Sequence, residues 1–359
     1  MAISEADRRF LDANQNLLEK VGASAQDVRD VESQVGRNRS AVITLTDDSK
    51  LHLKQIKGEG SDQRFARSLS FEQFSHNLPL SFGTPRILAH SSAQRCILFE
   101  HVNHDTKLSD LVSKSRVAPH RIVSVAEALV NLHSMKIDDT DSLDSSLPTF
   151  PPVNAQALSY DYFENATFGE LALWRIIQAD LGLQTVIQDL VESPFHAVPI
   201  HGDFRPDQVL LLDAKPTFID FEDFRIGDRA RDIGSFLGEL FYHGIREMVV
   251  SATVSKNGEL THETVVENGV RLLEEIRPTL NDFWRAYVNS WHMGPPNGAD
   301  VKALAVRVCG YMGWHLFDRS LVTSSVMGRL SANDRALSGI GRNIIVNREQ
   351  FVGELGLTL

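Results

Sequence analysis

Cysteine is scarce: Cys96 and Cys309 are the two in 359 residues. So few thiols, so far apart, exclude a disulfide framework and lead us to expect reduced, buried side chains in a cytoplasmic protein. No apolar run approaches the roughly 18 residues needed to cross a bilayer, and the opening Met-Ala-Ile-Ser-Glu-Ala-Asp-Arg-Arg-Phe is too charged for a signal peptide. Cys-x-x-Cys and His-Glu-x-x-His are both missing, which argues against the common zinc sites. There is no internal repeat and no low-complexity tail. Positive charge also falls short, with a formal net charge of −11. Residues 1–100 carry 13 basic and 13 acidic side chains, so the whole excess of acid lies in the later portion. Such a field disfavours nucleic acid and anionic membranes; it either attracts cationic partners or serves solubility alone. A chain of this length with 42% hydrophobic and 23% charged residues is expected to fold as two lobes, because single cores seldom grow beyond about 300 residues.

The densest chemistry lies between His201 and Asp232. Val209 to Leu212 is an apolar run, Asp213-Ala214-Lys215-Pro216 carries turn formers, and Thr217 to Ile219 is β-branched and aromatic. The pattern predicts a short antiparallel hairpin that brings Asp203, before its first strand, close to Asp220, after its second. Two carboxylates at one end of a hairpin repel unless a cation or a transferable proton lies between them, and a metal-dependent phosphoryl transfer needs both. Asp213, Asp223 and Asp228 read as turn and surface carboxylates, and His201 as a structural histidine. Asp232, beside an apolar helix start, reads as an anchor for the loop backbone or for that helix.

The segment resembles the aminoglycoside phosphotransferase and choline kinase superfamily. The family pattern is His-Gly-Asp, four residues, Asn, then Ile-Asp after a hairpin, then Gly-Asp and a further Asp. It is met here by His201-Gly202-Asp203, Gln208 in the Asn place, Ile219-Asp220, Gly227-Asp228 and Asp232. The resemblance implies a two-lobed α+β fold like that of the protein kinases, with Asp203 as the base for an acceptor hydroxyl. It implies Gln208 and Asp220 as Mg²⁺ ligands on the nucleotide phosphates. Gln208 departs from the pattern by one methylene but keeps a hard carbonyl oxygen. Ile219-Asp220-Phe221-Glu222 is also similar to choline kinases, which makes Glu222 a further metal contact.

Upstream, Ser4-Glu5-Ala6-Asp7 resembles a capping box before an amphipathic helix. Gln34 to Leu45 reads as strand, polar turn, strand. In a kinase-like lobe the turn is where the nucleotide-covering loop falls, with backbone groups near Asn38 and Ser40 on phosphate; a plain hairpin turn would look the same. Leu51 to Ile56 alternates as a strand with Lys54 on the side of Ile56. Ser61 caps a helix whose Phe65, Leu69 and Glu72 share one face, and a carboxylate there needs a partner. On residue type alone Lys54 reads as a solvated strand charge and Glu72 as a local partner of Arg64 or Arg67; the resemblance instead supplies Lys54, paired with Glu72 and held against the phosphates. Gly83 to Leu88 and Arg95 to Glu100 read as strands, and by the same resemblance the backbone from Phe99 past Glu100 to Val102 meets adenine.

A helix is expected at 123–135 and, beyond a polar loop at 138–152, further helices at 160–180, 184–192, 230–248, 262–276, 279–292 and 301–322. His133 and the four tryptophans read as packed core. The division implied is a nucleotide-binding lobe at 1–100 and a catalytic, acceptor-binding lobe at 101–359. The activity implied is phosphorylation of a hydroxyl, using ATP (GTP is not excluded) and Mg²⁺. The acceptor expected is a small, amine-bearing antibiotic or metabolite. A Ser or Thr of a precursor peptide, as in lanthipeptide-like pathways, is the alternative; an inactive kinase-like binding module is the third reading, opposed by the presence of every key acid. If the excess acid lines the acceptor cleft, Glu222 and Asp223 are the nearest candidates to meet a cationic acceptor.

Overall fold

The structure, a computed structural model, describes residues 3–76, 78–103, 106–114, 117–136, 143–146, 155, 157–212, 215–254, 262–291 and 298–358. In chain order come α1 (Glu5–Ala13), α2 (Gln15–Glu19), β1 (Val28–Val35), β2 (Arg39–Leu45), β3 (Lys50–Gln55), α3 (Ser61–Ser75), β4 (Ile87–Ser91), β5 (Cys96–Glu100), β6 (Thr106–Lys107), α4 (Leu108–Val112) and α5 (Pro119–His133). There follow α6 (Tyr160–Asn165), α7 (Phe168–Gln178), α8 (Leu181–Glu192), β7 (Ala197–Ile200), β8 (Val209–Leu212), β9 (Lys215–Phe218) and β10 (Arg225–Asp228). The chain ends in α9 (Arg229–Val254), α10 (His262–Asn289), α11 (Gly298–Met327), α12 (Ala332–Val346) and α13 (Arg348–Glu354). No described helix is long and apolar enough to cross a membrane.

The chain divides into two compact units, one of Met1–Thr106 with Leu210–Phe224, the other of Lys107–Val209 with Arg225–Leu359. The sequence reading drew its boundary at residue 100 and left the hairpin in the later lobe. The difference has a local cause: Gly83 bridges Thr217 and exchanges backbone hydrogen bonds with Pro216 and Phe218, so that β9 joins the first unit. A Cβ at Gly83 would meet the Thr217 hydroxyl at 2.4 Å, so only glycine permits the approach. The predicted strand at 83–88 is accordingly cut back, and β4 begins at Ile87. The expected turn residues Asp213 and Ala214 lie outside the described residues.

In the first unit β1-β2-β3-β5-β4 form an antiparallel sheet. The two-residue period of β5 splits its side chains between two cores. Cys96 and Leu98 join Phe10, Leu11, Leu17 and Leu18 of α1 and α2, while Ile97 and Phe99 join Phe65 and Leu69 of α3. Helices therefore cover both faces. Ser4 caps α1 by accepting the Asp7 N–H, as expected from sequence.

The second unit is helical around α11, which is buried on nearly every side over its middle turns. Gly234 and Gly238, one turn apart on α9, let it approach; a Cβ at Gly238 would sit 2.8 Å from the Cβ of His315. Residues 262–276 and 279–292, expected as two helices, form the single helix α10 with Pro278 inside. The proline removes one hydrogen bond of the ladder, and packing keeps the helix whole: Leu280, Phe283, Trp284 and Tyr287 just beyond it are all fully buried. Trp174, Trp291 and Trp314 are buried too, and both cysteines are free and buried.

Candidate active site

In the first unit the site is assembled from β3, the β1–β2 turn, α3 and the 3-10 turn Phe221–Asp223 that follows β9. Lys54 stands opposite Ser40 and Ile97 on the α3 face of the sheet and is buried. Its ammonium pairs with Asp220 and, at 2.9 Å, with Glu222. Burial alone would lower the Lys54 pKa, but the two carboxylates outweigh it and raise it above the ordinary value. Asp220 has φ +69°, a left-handed conformation uncommon outside glycine, and turns the chain into the 3-10 segment. Glu222 is 5% exposed and carries four partners. Its Oε1 accepts from Arg37 at 2.7 Å and Arg64 at 3.1 Å; its Oε2 accepts from Asn38 at 2.7 Å and faces Lys54. Burial would raise its pKa; Lys54, Arg37 and Arg64 instead bring it from 4.5 to about 2. Three cations thus surround two carboxylates, a surplus suited to an anion.

The 3-10 turn is fastened to α3. Phe71 stacks on Phe221 with centroids 3.4 Å apart and meets Phe224 edge-on at 5.1 Å, while Arg67 reaches Asp223 at 3.4 Å.

This geometry corrects three expectations. Lys54 is not paired with Glu72. Among the described residues its carboxylates are Asp220 and Glu222, whereas half-buried Glu72 lies against the Ile87 N–H, near His76, Glu100 and Arg86. Glu72 does share a face with Phe65 and Leu69, but it lies eight residues beyond Arg64, about 12 Å along the helix. There it meets the strand level of Ile87 and Phe99, which pairs with His52 rather than Lys54. Glu222, expected as a metal contact, has both oxygens engaged by protein cations and by Asn38. Nor are Glu222 and Asp223 free to meet a cationic acceptor, since Arg67 holds the latter. Of the remaining nucleotide-site candidates, Asn38 ties the β1–β2 turn to Glu222, and Ser40 shares a hydrogen bond with His52 at 2.6 Å. Glu100 pairs with Arg86 at 2.8 Å; Val102 follows β5.

In the second unit the loop after β7 is pinned by Asp232. Its carboxylate accepts the N–H groups of His201 at 2.7 Å and Gly202 at 2.9 Å, and contacts His133 at 3.2 Å. His133 also meets the Tyr287 hydroxyl at 2.7 Å. Burial lowers the His133 pKa against the opposing pull of Asp232, and the ring bridges Asp232 through Nε2 and the Tyr287 hydroxyl through Nδ1. Gly202 takes φ +83° at the bend. Asp203 follows, its side chain 43% exposed, and Arg205 grips both its oxygens at 3.0 and 3.1 Å. Asp203, Asp207, Glu239 and Asp318 together raise the Arg205 pKa against the opposing effect of burial. Gln208 is buried at the end of the 3-10 turn Pro206–Gln208.

Residues 33–265, more than half of the chain, match the model of the phosphotransferase enzyme family. The chain belongs to that family. Among curated proteins none matches it. Among solved structures it is similar to a choline kinase from Cryptosporidium parvum Iowa II, at 13% identity, TM-score 0.54, covering 98% of this chain and 97% of that one. A choline/ethanolamine kinase family protein from Mesorhizobium loti follows at 14%, 0.52, 96% and 98%. A putative fructosamine-3-kinase from Thermobifida fusca gives 16%, 0.50, 92% and 96%. The fold is the two-lobed, kinase-like α+β class of these neighbours, and the protein is a phosphotransferase.

Within this phosphotransferase, sequence reasoning missed Arg64 and Arg205. Arg205 stood two residues from Asp203, close enough to suggest a bidentate partner; Arg64 read only as a local partner for Glu72, whereas it pairs with Glu222. Asp228 is a further correction. Read as a surface carboxylate, it is buried and bound by Arg307 at 2.6 Å, because β10 carries it inside. Loss of the pinning carboxylate in Asp232→Ala leaves two loop N–H groups and His133 without their buried acceptor. We expect destabilisation on the order of 3 kcal/mol, measured as a lowered urea midpoint at unchanged m value; an unchanged midpoint would show that the loop holds itself.

Proposed function

We propose that this phosphotransferase moves the γ-phosphoryl group of ATP to a hydroxyl of a small, amine-bearing molecule, with Mg²⁺. The observation that carries the reading is the Lys54–Asp220 pair: the strand lysine suited to phosphate and the carboxylate suited to a metal meet in one compact unit, amid an excess of cations. The donor chemistry fits Mg²⁺. By motif order Asp220 and Gln208 offer hard oxygens, and this ion binds through one or two protein oxygens plus the substrate's phosphates rather than a protein cage. Bound there, Mg²⁺ would neutralise charge on the phosphates. Asp203, oriented by Arg205, takes the part of base toward the acceptor.

Two things favour an amine-bearing acceptor. Choline and ethanolamine, for which structural neighbours are named, are cations, and the excess acid of this chain lies after residue 100. A transfer screen with labelled ATP against choline-like amines, aminated sugars and basic peptides tests both acceptor classes. A small cationic acceptor should be labelled, and its KM should rise several-fold between low and high salt, since about 0.1 M salt screens charges beyond roughly 10 Å. Labelling of the peptides alone, or a KM indifferent to salt, would remove this acceptor.

A further inference from the structure

Deepening the proposed function and resting on it, we infer that Glu222 is the positioning residue for Lys54, the part expected of Glu72, and that Arg64 extends this hold to α3. Lys54 has two carboxylate neighbours of different character. Asp220 has 30% of its side chain exposed and is the proposed metal ligand; Glu222 has 7% and is enclosed. A metal drawing on Asp220 weakens that acid's hold on the ammonium, whereas Glu222 is held by protein groups, Arg37, Asn38 and Arg64, that leave it beside Lys54. Its position is overdetermined: Arg37 and Asn38 hold it from the β1–β2 turn, Arg64 from α3. Arg64 also bonds Asn38 Oδ1 at 3.2 Å and the Lys57 carbonyl, which ties the helix start to the end of β3. The Phe71–Phe221 stack and the Phe74–Phe224 contact, at 5.8 Å, fix the 3-10 turn on the same helix.

Glu222 can therefore keep the ammonium aimed while Asp220 serves the metal. Three cations around Glu222 hold its carboxylate in place beside the lysine. The electrostatic tie between helix and strand lysine thus runs Arg64–Glu222–Lys54, with the sign of the helix residue reversed relative to the expected lysine–glutamate pair.

The test is calorimetry on the full chain, with Mg·ATP and adenosine as separate probes. Glu222→Gln keeps shape and removes charge; it should weaken Mg·ATP tenfold or more and leave adenosine within twofold. Arg64→Gln, which leaves both Glu222 and Lys54 in place, should weaken Mg·ATP about threefold to tenfold with adenosine again unchanged, and it carries the test if Glu222→Gln does not fold. Glu72→Gln should leave both affinities within twofold. Weakening by Glu72→Gln with little effect of Glu222→Gln and Arg64→Gln would overturn the inference and leave the phosphotransfer reading standing. Equal loss of adenosine and Mg·ATP would reduce Glu222 to a structural ion cluster and also overturn it. Failure of the unaltered protein to bind Mg·ATP would instead overturn the reading of the site itself.

Discussion

Asp203→Asn should lower kcat by about a hundredfold or more while Mg·ATP affinity stays within twofold. The substitution keeps the side chain's shape, but an amide cannot accept the proton of an acceptor hydroxyl. Stability should change little, because the Asp203 side chain is 43% exposed and the loop is held by Asp232 through the His201 and Gly202 N–H groups. The amide also presents a donor toward Arg205 in place of one carboxylate oxygen, so part of the bidentate grip is lost. That loss alone would cost orientation; loss of the base costs the chemical step. Rate and binding separate the two, because a disturbed loop would alter acceptor KM, whereas a missing base alters kcat at saturation. Near-normal turnover at saturating ATP and acceptor would remove Asp203 from the role of base.

Legibility from sequence followed the range of the interaction. Ser4 was readable because capping is decided within a few residues; Ser61, expected as a cap, is instead the first residue of α3, with Gly60 at the N-cap in a left-handed conformation and no side-chain cap bond. Asp232 was readable as a loop anchor because a buried acid beside an apolar helix start must satisfy nearby backbone. The face shared by Phe65, Leu69 and Glu72 was also read correctly, since helical period fixes it. What periodicity could not give is the height at which that face meets the sheet. Glu72 meets the level of Ile87 and Phe99, and Arg64 meets Lys54's neighbour Glu222 instead. The same limit hid the pairing of Asp228 with Arg307, 79 residues away. Composition likewise could not show that acids near the motif are already neutralised. Only the structure shows Glu222 enclosed by Arg37, Arg64 and Lys54.

Asp220→Ala should abolish Mg²⁺-dependent binding of ATP. Two effects act together, and a second variant separates them. Alanine removes the hard oxygen proposed to hold the metal, and it places a residue poorly suited to φ +69° at the bend into the 3-10 turn. Asparagine tolerates that conformation, so Asp220→Asn keeps the backbone and removes only charge. If the carboxylate is what matters, both variants lose the metal-dependent part of the affinity. If conformation is what matters, the asparagine variant stays near the unaltered protein. Lys54 should remain charged in either case, because Glu222 is still beside it at 2.9 Å, so a residual metal-independent affinity for phosphate is expected. Gln208→Asn, which restores the family residue, should retain at least part of the activity, because the amide oxygen persists on a shorter arm. The measurement is a Mg²⁺ titration followed by calorimetry at fixed ATP; unchanged Mg·ATP affinity in Asp220→Ala would place the metal elsewhere.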